Sequence, residues 1–154
     1  MSQQVFTTSK EATIENVEAL LDTIQEKPRR FEVQNKNCLL LVCGETNILY
    51  KPTGGTTRFR YPKDKDLKVQ FNETMRQTDI ILNPMHSPWR RHADLNARIK
   101  FLSRGRYYFG TSNTSKNISL NAHLIYAFYN GKELDGRAIL SKDETRYKSK
   151  IYEI

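Results

Sequence analysis

The sequence predicts an α/β fold in which a sheet is layered against helices. Three segments have the apolar character of buried strands, and they cover residues 38–43, 78–84 and 106–113. Two segments with helical periodicity lie between them, at residues 66–77 and 91–105. Strands that alternate with helices are typical of a sheet whose parallel strands are joined by crossover helices. A chain of 154 residues is expected to form a single domain, residues 1–154.

An amphipathic helix is predicted near the N-terminus, over residues 13–27. Thr13 is the expected N-cap, and Pro28 closes the helix. Apolar residues recur at helical spacing along this segment, at Ile14, Val17, Leu20, Leu21 and Ile24.

The first predicted strands lie on either side of a short turn. Residues 31–34 alternate like a strand, and residues 35–37 form the turn. The following run, CLLLVC, is apolar without alternation, which predicts burial on both faces of the sheet. A polar segment from Gly44 to about Arg58 is then expected to be a loop, and long loops after buried strands often carry function.

The second half of the chain continues the alternation. Residues 66–77 form the predicted second helix, and the strand 78–84 ends at Pro84. The next helix, 91–105, places Leu95, Ile99 and Leu102 on one face and has Gly105 as its C-cap.

The C-terminal region is predicted to be rich in strands. Residues 123–134 contain a strand followed by a turn at Asn130-Gly131. Residues 137–141 are the expected partner of that strand, and the alternating tail, 146–154, is the expected edge strand.

The net charge of the chain indicates which kinds of binding partner to expect. The formal net charge is +8, which favours polyanions. The basic residues are scattered along the chain, so a solvated basic surface is the favoured interpretation and nucleic acid is a possible but less favoured partner. The apolar runs are too short to span a bilayer and the N-terminus has no signal-peptide pattern, so no membrane association and a cytoplasmic location are expected.

Polar residues follow the predicted buried strands. Cys43, Asn83 and Asn113 each come at the end of one, and the carboxyl ends of parallel strands usually gather ligands. A thiol beside exposed backbone N–H groups has a lowered pKa and becomes a nucleophile. Gly44 permits a sharp turn and close approach of a substrate. Cys38 is interpreted as a small buried apolar residue.

These segments together resemble a known superfamily. LLLVCGE, then TDIILNPMHSPW, then a helix, then GRYYFGTSNTS resembles the later part of the nitrilase or carbon–nitrogen hydrolase superfamily. The resemblance covers roughly residues 5–140 and depends on the order and spacing of the motifs. It implies part of an αββα sandwich, and an amide or nitrile as the small-molecule substrate.

The resemblance also implies roles for individual residues. Cys43 corresponds to the nucleophile and Lys10 to the lysine that stabilises the tetrahedral intermediate. Glu18 corresponds to a supporting carboxylate, with Glu15 as the alternative. The residues implied to bind substrate are Gly44, Glu45, Asn83, His86, Trp89 and Asn113.

Neither a metal nor a cofactor is expected. His86 and His92 flank Trp89, but His123 is remote and no further ligands stand at suitable spacing. These histidines are better interpreted as lining a pocket.

The chain departs from the superfamily pattern in one respect. The general-base glutamate of the superfamily lies well before the lysine, and only nine residues precede Lys10. The domain is therefore expected to be incomplete, with full hydrolase activity only if another segment or chain supplies the base. An incomplete sandwich is expected to expose an apolar face and to form a homo-oligomer or pair with a partner chain. The alternative is a basic binding module without catalytic activity.

Overall fold

The central feature of the fold is a six-stranded mixed sheet with helices packed against it. The computed structural model describes residue 5 and residues 8–85, 92–111, 125–134, 138–143 and 148–152. The α/β class predicted from the sequence is confirmed within this part of the chain.

The described residues form three α-helices and ten strands. The α-helices are α1 Ile14–Thr23, α2 Lys65–Arg76 and α3 His92–Leu102. A 3-10 helix covers Cys43–Ile48. The strands are β1 Arg30–Val33, β2 Lys36–Leu40, β3 Leu49–Tyr50, β4 Arg58–Phe59, β5 Ile80–Pro84, β6 Tyr107–Thr111, β7 Ile125–Tyr129, β8 Lys132–Glu133, β9 Ala138–Asp143 and β10 Lys148–Tyr152.

The strand order in the main sheet is β1-β2-β5-β6-β7-β8. Strands β2, β5 and β6 are parallel, and β1, β7 and β8 pair antiparallel with their neighbours. Both crossovers, from β2 to β5 and from β5 to β6, move the chain in the same direction along the sheet. Right-handed crossovers of this kind place their helices on the same face.

Local sequence signals account for the ends of several elements. The Thr13 hydroxyl accepts a hydrogen bond from the amide of Asn16 at 3.3 Å, which confirms the predicted cap of α1. The β1–β2 turn has left-handed backbone at Gln34 and Asn35, and the β7–β8 turn has it at Asn130 and Gly131. Two-residue turns of this type match the twist of a hairpin.

The main core lies between the three helices and one face of the sheet. Leu39, Leu41, Ile81, Tyr108 and Phe128 line this face and are almost fully buried. The helices contribute the apolar residues Val17, Leu20 and Leu21 from α1, Leu67, Phe71 and Met75 from α2, and Leu95, Ile99 and Leu102 from α3.

The opposite side of the sheet, here called the second face, is also largely apolar. Side chains alternate along a strand and directly paired residues share a face, so the register fixes its members. Its apolar members are Phe31, Val33, Cys38, Leu40, Ile80, Leu82, Tyr107, Phe109, Ile125, Ala127 and Tyr129. None of these belongs to the helix-packed core, and Val33 and Tyr129 are exposed. Tyr152 of β10 contacts the Phe109 ring at 5.8 Å between centroids.

Two sequence expectations about connections were wrong. The segment predicted as a polar loop after Cys43 is a 3-10 helix that leads into the β3–β4 hairpin, and residues 43–49 are buried. The strand before the Asn130-Gly131 turn pairs with β8, whereas β9, at the segment predicted to be its partner, pairs with β10. None of the described helices combines the length and apolar character needed to cross a membrane.

Candidate functional site

Cys43 lies at a sharp turn at the carboxyl end of the parallel strands. Val42 is extended, with φ −107° and ψ 130°, and the 3-10 helix begins at the next residue. Cys43 itself has φ +36°, in the left-handed region that residues other than glycine seldom adopt. Its side chain is 9% exposed, and both cysteines are free thiols. Non-glycine residues held in this region cluster at functional sites, where the surrounding structure maintains the strain.

A buried ion pair holds one side of this turn. The Glu45 carboxylate accepts two hydrogen bonds from the Arg29 guanidinium, both at 2.8 Å, and the residues are 0% and 1% exposed. Glu45 also accepts from the amide of Val42 at 2.7 Å and from the amide of Val5 at 3.2 Å. Arg29 donates further to the Leu40 carbonyl at 3.1 Å. Glu45, which the resemblance implied to be a substrate-binding residue, is thus engaged in holding the turn in place.

Asn47 holds the other side of the turn. Its side-chain amide donates to the Gly44 carbonyl at 2.7 Å, and its side-chain oxygen accepts from Nη1 of Arg98 in α3. The Asn47 carbonyl accepts from Nε of Arg60 at 2.7 Å. Burial lowers the pKa of Arg98 to about 10, and the nearby charge of Arg60 acts in the same direction while Asp94 opposes it. Arg98 therefore remains a cation at neutral pH, bonded to the short helix that starts at Cys43.

Some polar groups at the turn have no partner of the usual kind among the described residues. The amide N–H groups of Cys43 and Gly44 donate to no backbone carbonyl in the described part of the chain. The Thr46 hydroxyl is fully buried and has no hydrogen-bond partner among the described residues. Buried polar groups are normally satisfied, so the start of this helix offers unused polarity next to the thiol.

Asn83 lies at the end of β5 but faces the helix-packed core. It is 1% exposed, donates to the Leu41 carbonyl at 2.9 Å and accepts from the Tyr108 hydroxyl at 2.7 Å. Burial, and secondarily the neighbouring Tyr126, raises the pKa of Tyr108 far above its usual value. Gly110 makes room for this contact, because a Cβ there would come within 3.0 Å of the Tyr108 ring. Asn83 is thus engaged in linking β2, β5 and β6.

The other residues implied by the resemblance lie elsewhere or outside the described chain. Lys10 is exposed in the turn before α1, and Glu18 is exposed on α1. Neither of these two described residues is hydrogen-bonded to Cys43. His86, Trp89 and Asn113, implied to bind substrate, lie outside the described residues.

Sequence reasoning missed the residues that build the turn. The basic residues in general were expected to form a solvated surface and neither Arg29 nor Arg98 was given a role in the site, but both are buried and bond to the segment after Cys43. Asn47 was placed in a polar loop. The sequence offers one weak signal, which is that charged and amide residues directly follow a buried strand and therefore need partners.

Comparisons with known proteins do not assign a function to the chain. No protein family, curated protein or solved structure matches the sequence or the fold. Within the described residues, no group of three or more His, Cys, Asp or Glu side chains is placed to hold a metal ion.

Proposed function

We propose that the chain is a carbon–nitrogen hydrolase-like domain in which the Cys43 thiol attacks the carbonyl carbon of an amide or the carbon of a nitrile. The observation that carries the proposal is the backbone of Cys43, with φ +36° between a buried strand and a 3-10 helix. Cys43 is 9% exposed at this turn, so the proposed reaction requires a substrate to reach a nearly buried thiol. The resemblance of LLLVCGE and the later motifs to the superfamily supports the same role.

The proposed reaction with an amide has two steps. The Cys43 thiolate adds to the carbonyl carbon, and the C–N bond then breaks as the nitrogen takes up a proton and leaves as ammonia or an amine. Water next attacks the resulting thioester, which releases the carboxylic acid and restores the thiol. A nitrile would add the thiol across its triple bond to give a thioimidate, which one water converts to the same thioester with loss of ammonia.

The surroundings of Cys43 favour the first step. The amide N–H groups of Cys43 and Gly44, which donate to no backbone carbonyl among the described residues, are suited to stabilise the oxyanion of a tetrahedral intermediate. The guanidiniums of Arg60 and Arg98, both bonded to Asn47, add positive charge to the same short helix.

The second step is proposed to be slow in this chain alone. In the described residues, no side chain is hydrogen-bonded to the Cys43 sulfur, so we expect none of these residues to activate water as a general base. Lys10 and Glu18 would have to approach from their exposed positions to assist. The expected behaviour is a fast first turnover that leaves an acyl group on the thiol, followed by slow release.

Trapping of the acyl group tests the proposal. With p-nitrophenyl acetate, we expect a burst of p-nitrophenolate close to one equivalent per chain, and an acetyl group mapped by mass spectrometry to Cys43. Cys43→Ala should abolish the burst, whereas Cys38→Ala, which removes the other thiol, should keep it. A burst that survives in Cys43→Ala, or an acetyl group only on other residues, would refute the proposed nucleophile.

The second face suggests how the domain is completed. Tyr152 of β10 already covers Phe109, and Cys38, Ile80 and Ala127 are buried within the chain. We propose that two copies pair through the part of this face that stays exposed, which includes Val33 and Tyr129. Sedimentation at micromolar concentration should show a dimer. Tyr129→Lys, on this face, should shift it to a monomer, whereas Val69→Lys, on the exposed side of α2, should not. A wild-type monomer under these conditions would exclude this pairing, and a complex only with a different chain would replace it.

A further inference from the structure

A groove between α2 and the end of α3 has features of a second binding site. Its lining includes Phe71, Met75 and Arg76 from α2, together with Phe101, Arg104 and Arg106. The space is about 340 Å³, which suits one small molecule. Arg106 directly precedes β6, so the groove is at the amino end of the parallel strands. Cys43 follows β2 at the opposite edge, and the two sites are therefore independent.

The floor of the groove is apolar and aromatic. The rings of Phe71 and Phe101 lie 6.5 Å apart and are inclined by 28°, and Phe71 also stacks on Phe59 at 4.8 Å. Met75 is 7% exposed and adds a polarizable thioether. A flat apolar group would bury its surface on this floor in the manner of stacked aromatic pairs.

The rim of the groove is strongly basic. Arg104 lies over the Phe101 ring, with its guanidinium carbon 4.9 Å from the ring centre. Arg76 pairs with Glu73 on the same helix at 2.7 Å, and this pair is exposed. Within the described chain, Glu73 is the one carboxylate paired with any of the three arginines, so the rim keeps an excess of two positive charges.

Arg106 is held rigidly at the inner end of the rim. Its Nη1 donates to the Leu102 carbonyl at 2.8 Å and its Nε to the Thr78 carbonyl at 3.3 Å. Burial lowers the pKa of this guanidinium, which reflects its lost hydration. Capping of α3 explains the position of Arg106, but it explains neither the exposed charge of Arg104 nor the aromatic floor.

We propose that this groove binds a small organic anion with a flat apolar body and a terminal phosphate or carboxylate. The body would lie mainly against the half-buried Phe101 ring, which the buried Phe71 supports from below. The anionic end would accept hydrogen bonds from the guanidiniums of Arg104 and Arg106. Planar guanidiniums match both phosphate and carboxylate oxygens. The apolar floor separates this class of ligand from simple inorganic anions.

Binding of phenyl phosphate to the full chain, measured by isothermal titration calorimetry, tests the proposal. Arg104→Gln should weaken binding by about tenfold or more, the usual effect of losing one charge-assisted hydrogen bond. Arg58→Gln, which removes another exposed arginine, from β4, should change the dissociation constant less than about twofold, because only long-range attraction is lost. Benzoate serves as the carboxylate arm, and the tighter of the two ligands identifies the preferred anionic end.

Three results would overturn the proposal. The first is an absence of binding by both phenyl phosphate and benzoate at millimolar concentration. The second is equal weakening by Arg104→Gln and Arg58→Gln, which would indicate a general effect of charge. The third is inorganic phosphate binding as tightly as phenyl phosphate, which would show that the aromatic floor contributes nothing. None of these results depends on Cys43.

Discussion

The buried pair of Arg29 and Glu45 allows a quantitative prediction for the substitution Glu45→Gln. Each carboxylate oxygen accepts one hydrogen bond from Arg29 and one from a backbone amide, of Val42 or Val5. Glutamine has nearly the same shape, but it replaces one oxygen with an NH₂ group. The new NH₂ group then faces one N–H of Arg29 and one backbone N–H, which are donors like itself. The Arg29 guanidinium, which is 1% exposed, also loses its counter-charge.

The expected cost follows from these contacts. Loss of one partner from a buried ion pair destabilises a protein by about 3–5 kcal/mol. The remaining oxygen of the substituted side chain still accepts one bond from Arg29, so a value near the lower end, about 3 kcal/mol, is expected. With a urea dependence of about 2 kcal/mol per molar, the unfolding midpoint should fall by about 1.5 M.

Urea unfolding followed by circular dichroism measures this change. Glu73→Gln breaks the exposed pair with Arg76 and serves as the matched control, with an expected cost below about 0.5 kcal/mol. The double variant with Arg29→Met and Glu45→Gln should be more stable than Glu45→Gln alone, because no unpaired charge remains buried. A cost below about 1 kcal/mol for Glu45→Gln, or a double variant that shows simple additivity, would refute this account of the turn.

Three further predictions concern other described residues. Tyr108→Phe leaves the Asn83 side-chain oxygen without its donor and should lower the free energy of unfolding by about 1–3 kcal/mol in urea titrations. The pKa of Tyr108 is raised in the folded state, whereas tyrosine in the unfolded chain ionises above about pH 10. The free energy of unfolding of the wild type should therefore fall as the pH rises above about 10, and that of Tyr108→Phe should fall less. Equal falls would contradict this. Iodoacetamide near neutral pH should modify Cys43 faster than Cys38, because burial and a nearby aspartate raise the pKa of Cys38; equal rates by peptide mass spectrometry would contradict this. Gln34 has left-handed backbone in the β1–β2 turn, a conformation that asparagine adopts more readily. Gln34→Asn should therefore raise the free energy of unfolding by about 0.5 kcal/mol and the thermal unfolding midpoint slightly. An unchanged midpoint would contradict this.

The sequence predicted much of the fold because its signals are local. The helices α1, α2 and α3 follow from apolar spacing, and the start of α1 and the end of β5 follow from Thr13 and Pro84. The predicted C-cap at Gly105 was wrong, because α3 ends at Leu102 and Gly105 lies in the turn that follows, with φ +70°. The pairing of β9 with β10 was missed because residues 137–141 were assigned as the partner of the strand before Asn130. The pairing of a strand depends on which other part of the fold covers its apolar side. The sequence pattern of the strand itself does not contain this information.

The candidate site was less predictable because its supports are distant in sequence. A thiol at the end of β2 was expected from the apolar run that precedes it. The pairing of Glu45 with Arg29 and of Asn47 with Arg98 spans 16 and 51 positions. Apart from their position directly after a buried strand, nothing near residues 44–49 indicates that these polar side chains would be buried, since only their distant partners make burial possible. A segment rich in polar residues was therefore mistaken for an exposed loop.

The outer strands of the main sheet limit how copies of this protein can associate. Strand β8 has two residues, both charged, and β1 carries Arg30 and Glu32. Short or charged outer strands discourage the addition of further strands from other molecules. Association through the second face would bury that face in a closed pair, so assembly should stop at a defined size and should not grow into fibrils.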